Sequence, residues 1–184
     1  MTAAPNQGLW RLYRELRQQG PLMAGALREP RPGLPPGPAR LAAAGPRVDG
    51  RRAQYELLIG MIYEGYRLHY EDAGGGLVRP DDPDLALLLG DQLYALGLSR
   101  LADLGDLEAV GELADVISLG AQAQAARDRE LAEAVWEAGA VAVGWGSSEP
   151  HHEAKALART GGEGAAAALR RAARQARGGA PPGR

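Results

Sequence analysis

The chain has 184 residues, 45% of them hydrophobic, which suffices for one moderate core and makes a single domain the default. Lys and Arg number 21 against 23 Asp and Glu, so the formal charge of -2 supplies no net basic field for nucleic acid or anionic lipid. The sequence has no cysteine, which excludes disulfides, thiolate metal sites and cysteine nucleophiles. It also shows neither an apolar leader core nor a run near the ~18 apolar residues of a membrane span, so a cytoplasmic setting is expected.

Residues 1–48 read as an amphipathic arm followed by a proline-rich connector. Asn6 to Gln19 places Leu9, Trp10, Tyr13 and Leu16 on one helix face, with Arg11, Arg14, Glu15 and Arg17 elsewhere, and stops at Gly20-Pro21. The expected role is an arm packed on the body, with at most peripheral membrane contact. The run PRPGLPPGP from Pro30 to Pro38 cannot hold an interior helix, because proline lacks the amide donor and clashes with the preceding turn.

Residues 49–177 read as a helical bundle. From Gly50 the spacing of Tyr55, Leu58, Ile59, Ile62, Tyr63, Tyr66, Leu68, His69 and Tyr70 predicts a helix with a wide buried stripe, ended by Gly74-Gly75-Gly76 as a chain reversal. Asp82-Pro83 predicts the next helix start, with Leu85, Leu88, Leu89, Leu93, Leu96, Leu101 and Leu104 following and a stop at Gly105. The acidic run Asp81, Asp82 and Asp84 is read as capping and dipole compensation rather than a magnesium site.

Asp106 is expected to cap a helix carrying Leu107, Val110, Leu113, Ala114, Ile117 and Ala121, with Gly111, Ala114 and Gly120 permitting close helix contacts. Another helix is expected from Asp128 to Val143, with a break over Gly144 to Pro150. Two alanine-rich helices, His151 to Arg159 and Glu163 to Arg177, complete the bundle, and residues 178–184 are read as a disordered tail. His151-His152-Glu153 is read as a solvated helix start, since no third ligand stands at helical metal-site spacing. No segment alternates at period two, so the fold class is all-α.

Within this pattern Asp91 stands out, because a carboxylate in a leucine-rich helix must reach water or be paired. His69 is read as a hydrogen-bonded core histidine rather than a base.

The order from Arg67 to Gln124, in which LHYEDAGGG leads past PDDPD into LLLGDQLYALGLSRLADLGDLEAVGELADVISLGAQAQ, resembles the middle of trans-polyprenyl diphosphate synthases. The resemblance covers about residues 50–127 and implies part of the isoprenoid synthase helical fold. The family's first aspartate-rich motif, aligned on Leu68-His69, falls on Tyr70, Glu71 and Gly74, where only Glu71 keeps a carboxylate. One carboxylate beside Asp72 falls short of the oxygen-rich shell that magnesium ions bridging a diphosphate need.

The family's paired arginines are met by Arg79 followed by Pro80. Its Gly-Asp-x-Leu/Tyr element is met by Gly90, Asp91 and Tyr94, and its Gly-Glu-x-x-Gln element by Gly120 and Gln124 with Ala121 in place of the glutamate. The chain is most similar to the small, non-catalytic subunit of two-component heptaprenyl diphosphate synthases, whose product serves as the menaquinone side chain. This implies an accessory subunit that regulates product length, with no catalytic or metal-ligating residue of its own and magnesium held by the catalytic large subunit.

Tyr63, Tyr66, Tyr70, Glu71, Arg79, Asp91 and Gln124 are then the candidate substrate-contacting residues, the three tyrosines as the wall of the groove that takes the growing chain. The alternative is a stand-alone helical scaffold or regulatory protein without prenyl diphosphate chemistry. The accessory reading expects a protein poorly behaved alone, because half a bundle leaves core surface uncovered.

Overall fold

A computed structural model describes residues 6–31, 37–70 and 76–179, and among them regular structure is helical throughout, apart from a single isolated antiparallel bridge between Leu27 and Val78. Glu71, two of the three glycines at 74–76, most of the proline run and the end of the tail (180–184) lie outside the described residues. The contacts group the chain into two units, Met1–Arg40 with Ala53–Leu104, and Leu41–Arg52 with Gly105–Arg184. Of the segment read as arm and connector, residues up to 40 group with the first unit and those from 41 with the second.

The first unit is built on helix α4 (Arg52–Tyr70). Before it in sequence come α1 (Gln7–Leu16), α2 (Pro21–Ala26) and α3 (Pro38–Ala43), of which the last two are short and α3 straddles the boundary between the units. Proline opens both of these short helices, at a position where its missing amide costs nothing. Sequence reading ends the first helix at Gly20 and assigns the next residues to a connector. The structure instead folds Pro21–Ala26 as a turn and a half of helix that buries Met23 and Ala26.

Helix α1 packs its Leu12 and Leu16 inward, and a side-chain carbon on Gly60 of α4 would touch Leu12, so the two helices approach closely. Leu27 and Val78 then pair, with Arg28 N–H donating to Leu77 carbonyl at 2.8 Å and Arg79 N–H to Ala26 carbonyl at 2.7 Å.

Helix α5 (Pro83–Asp103) begins where the sequence predicts. The Asp82 carboxylate accepts from the amides of Asp84 at 2.8 Å and Leu85 at 3.3 Å. It runs antiparallel to α4 over three glycines. Gly65 lies against Gly90 and Tyr94, Gly90 against His69, and Gly97 against Ile62 and the Leu58 carbonyl. With no side chains at these points the helices close to near backbone contact, and Leu58, Ile59, Ile62, Leu89, Leu93 and Leu101 fill the space alongside.

The second unit is built on α7 (Arg129–Trp145), which is buried on nearly every side by α6 (Leu107–Ala125), α8 (Glu149–Arg159) and α9 (Ala165–Gly178). A 3-10 turn at Pro46–Val48 packs on it as well. Its composition explains the position. Alanine, valine and glycine dominate Ala132 to Gly144, so neighbours approach from all directions without large side chains to avoid. The expected break at Gly144 does not occur there. Gly144 stays helical, packed so closely on the Ala42 carbonyl and Gly45 that a side chain would not fit, and the helix ends at Gly146, whose φ of 95° is one that side-chain-bearing residues rarely adopt.

Asp106 and Asp128 cap α6 and α7 as the sequence predicts, accepting from Ala109 N–H at 3.1 Å and Leu131 N–H at 2.9 Å. Of the small residues of α6, Gly120 is buried as expected, but Gly111 and Ala114 face solvent, and a close α6–α7 contact is made by Gly139 against Val116 and Glu112. Among the described residues no helix is long and apolar enough to cross a membrane.

Candidate functional site

The predicted tyrosines form a ladder at the C-terminal end of α4. Tyr63 and Tyr66 stack with ring centres 6.1 Å apart, and Tyr66 meets Tyr70 at 5.2 Å. The rungs differ in access, with Tyr66 buried, Tyr63 half-buried and Tyr70 exposed. Beside them His69 lies flat on Tyr94 of α5, the rings 5.3 Å apart and within 3° of parallel.

Gly90 makes that stacking possible, because a side-chain carbon there would lie 2.8 Å from the His69 ring. Among the described residues the buried Tyr94 hydroxyl has no hydrogen-bond partner, and burial together with the neighbouring Tyr70, Tyr66 and Asp91 raises its ionisation above the usual tyrosine value. An aromatic wall thus runs from the core of the first unit to its surface, where Tyr70 ends it.

Asp91 resolves toward solvent. Its side chain is 75% exposed, with Oδ1 lying 3.2 Å from His69 Nε2, close enough for an ion pair but not aligned as a hydrogen bond. The buried structural bond that an acid among leucines would otherwise need is therefore absent at this position. On the same helix and one turn earlier, Leu87 and Leu88 are 46% and 59% exposed. With Tyr70 they place large apolar groups at one end of the α4–α5 pair, since His69 and Asp91 fix which ends of the two helices meet.

Arg79 sits where the bridge leaves the Ala26–Arg28 segment, and its Nε donates to the Gly76 carbonyl at 2.9 Å. Burial, then Arg31, Arg67 and Arg28, lower its ionisation relative to a free guanidinium. The acid in this region is Glu64, which sequence reading passed over as one more residue of the apolar helix. It is buried, and one carboxylate oxygen accepts from the amides of Leu77 at 3.0 Å and Val78 at 3.3 Å. Glu64 therefore anchors the bridge segment to α4. Gln124 lies in the second unit, on α6, away from the sequence neighbourhood of the other candidates.

The most concentrated charge was also missed. His151 is 4% exposed rather than a solvated helix start, and its Nε2 lies 2.7 Å from Glu112 Oε1. Lys155 Nζ donates to Glu112 Oε2 at 2.6 Å and to Asp115 at 2.8 Å, and Arg159 reaches Asp115 at 2.6 Å. Burial alone would raise the Glu112 carboxyl, but the bonds and charges of His151 and Lys155 outweigh it and hold the group below its ordinary value. Asp115 is lowered in the same way, against its own burial, by Lys155 and Arg159. Burial would lower Lys155, yet Asp115 and Glu112 raise it.

A sequence signal for this cluster did exist. Glu112 and Asp115 lie three apart on α6, while His151, Lys155 and Arg159 recur every four residues on α8, so both sets form single faces. Each Glu112 oxygen is committed to a neighbour within the unit, and the cluster ties α8 to α6.

No family model, no curated protein and no solved structure matches the chain.

Proposed function

We propose that this chain is a non-catalytic helical subunit that acts by binding a partner at the exposed end of the α4–α5 pair. The observation that carries this is that Leu87, Leu88 and Tyr70, large apolar side chains, are left in water toward the same end of the α4–α5 pair. The resemblance over residues 50–127 supplies the partner's class: the catalytic large subunit of a trans-polyprenyl diphosphate synthase, which would hold the magnesium ions and ionise the allylic diphosphate. On this reading the tyrosine ladder backs the groove that receives the growing apolar chain, with Tyr70 at its mouth. The regulated product would be a polyprenyl diphosphate of the kind used for a menaquinone side chain.

The test is co-expression with such a subunit from the same source, comparing complex mass and isopentenyl diphosphate incorporation with each protein alone. The expected result is a heteromer active only when both chains are present. Replacing Leu87 and Leu88 by glutamate should weaken association at least tenfold without lowering the melting temperature, because both side chains are already exposed. Full association of that double variant would overturn the assignment of the surface.

A second reading, the stand-alone helical scaffold, is favoured by one observation. Fully buried large side chains occur in both units, with Ile59, Ile62, Leu89 and Leu93 in the first and Leu113 and Leu169 in the second. The same experiment separates the two, because a well-folded chain that neither associates nor alters product length is a scaffold.

A further inference from the structure

The chain's positive charge is unevenly placed. Residues 6–31 carry five arginines and two glutamates, an excess of three positive charges in a chain whose total is -2. Helix α1 sorts them by face. Leu12 and Leu16 are buried against the body and Leu9 is half-buried, while Glu15, at the margin of that face, is paired with Arg100 at 2.7 Å. The outward arc holds Trp10, Arg14, Arg17, Gln7 and Gln18, with Tyr13 at its edge and no acid.

The aromatic and basic groups on this arc are organised together. Trp10 stands edge-on to Tyr13 at 5.6 Å, the Arg17 guanidinium lies over the Tyr13 ring at 5.9 Å, and Arg14 Nε donates to the Trp10 carbonyl at 3.3 Å. Trp10 is 41% exposed, and Leu22 at the start of α2 is 60% exposed.

We propose that this arc of α1 is a docking surface for an anionic membrane. The leucine stripe of α1 is already used against the body, so the helix cannot bury an apolar face in lipid. What remains outward is arginine, which anionic headgroups attract, and a tryptophan whose ring has an apolar body and a polar edge suited to headgroup depth. Contact of this kind is shallow, reversible and weakened by salt. It draws on a different surface from the α4–α5 end and stands or falls separately from it.

The full-length protein is sedimented with vesicles of phosphatidylcholine alone and of phosphatidylcholine with phosphatidylglycerol in equal parts. Binding to the anionic vesicles only, reduced on raising the salt, is the expected result. Arg14→Glu with Arg17→Glu should lower it on the order of tenfold or more, and the milder pair Arg14→Gln with Arg17→Gln should lower it less. Trp10→Ala should lower it severalfold with the melting temperature retained.

No binding to anionic vesicles at low salt, equal binding to neutral ones, or unchanged binding of the arginine variants would overturn the proposal.

Discussion

Glu112 shows how much one side chain can hold in place. Removing its carboxylate leaves His151 and Lys155 buried, with Lys155 retaining only the half-exposed Asp115 as counter-charge. The cost of breaking a buried ionic cluster comes mainly from the partners left behind, so Glu112→Ala should destabilise the protein by about 3–5 kcal/mol in urea unfolding. Adding Lys155→Met to that variant should restore part of the loss, since the stranded ammonium is then gone. A cost under about 1 kcal/mol for Glu112→Ala, or no recovery in the double variant, would show that the cluster does not lock α8 to α6. The same position explains why sequence reading misplaced His151. A His-His-Glu triplet at a helix start is polar in composition, and only the four-residue repeat with Lys155 and Arg159 reveals a face that another helix covers.

At the level of elements, glycines divide into those that set helix contacts and those that merely occupy helices. A side-chain carbon on Gly65 would meet the Gly90 carbonyl at 2.9 Å and the Tyr94 ring at 3.0 Å, and the backbone atom cannot yield without moving α5. Gly65→Ala should therefore destabilise by about 1–3 kcal/mol through overpacking. Gly111 is exposed on α6 with nothing within 4 Å, so Gly111→Ala should stabilise by about 0.4–1 kcal/mol through helix propensity and reduced unfolded-state freedom. Thermal unfolding of the two variants decides it, since shifts of the same sign would discard this assignment of roles. The caps Asp82, Asp106 and Asp128 and the long helices between them were legible because an N-cap is local chemistry and periodicity survives over four or five turns. Helices α2 and α3 were not, because six residues opened by proline carry too little periodicity to separate from a connector. The true depth of Gly144 inside α7 was hidden for another reason: it depends on Ala42, distant in sequence, meeting its backbone.

For the whole molecule, the ionised groups of the second unit set a pH range that net charge would not suggest. Glu112 and Asp115 are held below their ordinary values of 4.5 and 3.8, so their contribution is fully present above those values and is lost as pH falls through the lowered folded-state values. Lys155 is raised, so its contribution is present below 10.5 and is lost as pH rises through the raised value. As far as these three groups decide it, stability is flat from just above 4.5 to about 10.5 and has no maximum at the isoelectric point near 5.9. The unit carries its own reporters, because Trp136 and Trp145 belong to it while Trp10 belongs to the first. In a Trp10→Phe background, tryptophan emission should follow unfolding of the second unit alone as acid is added, with a transition below pH 4.5. Glu112→Gln cannot titrate, so at a common urea concentration it should be less stable at pH 7 and should lose less on acidification than the parent. Parallel acid profiles for parent and variant would mean that other carboxylates govern the transition, and that the buried cluster is not what makes this half of the chain sensitive to acid.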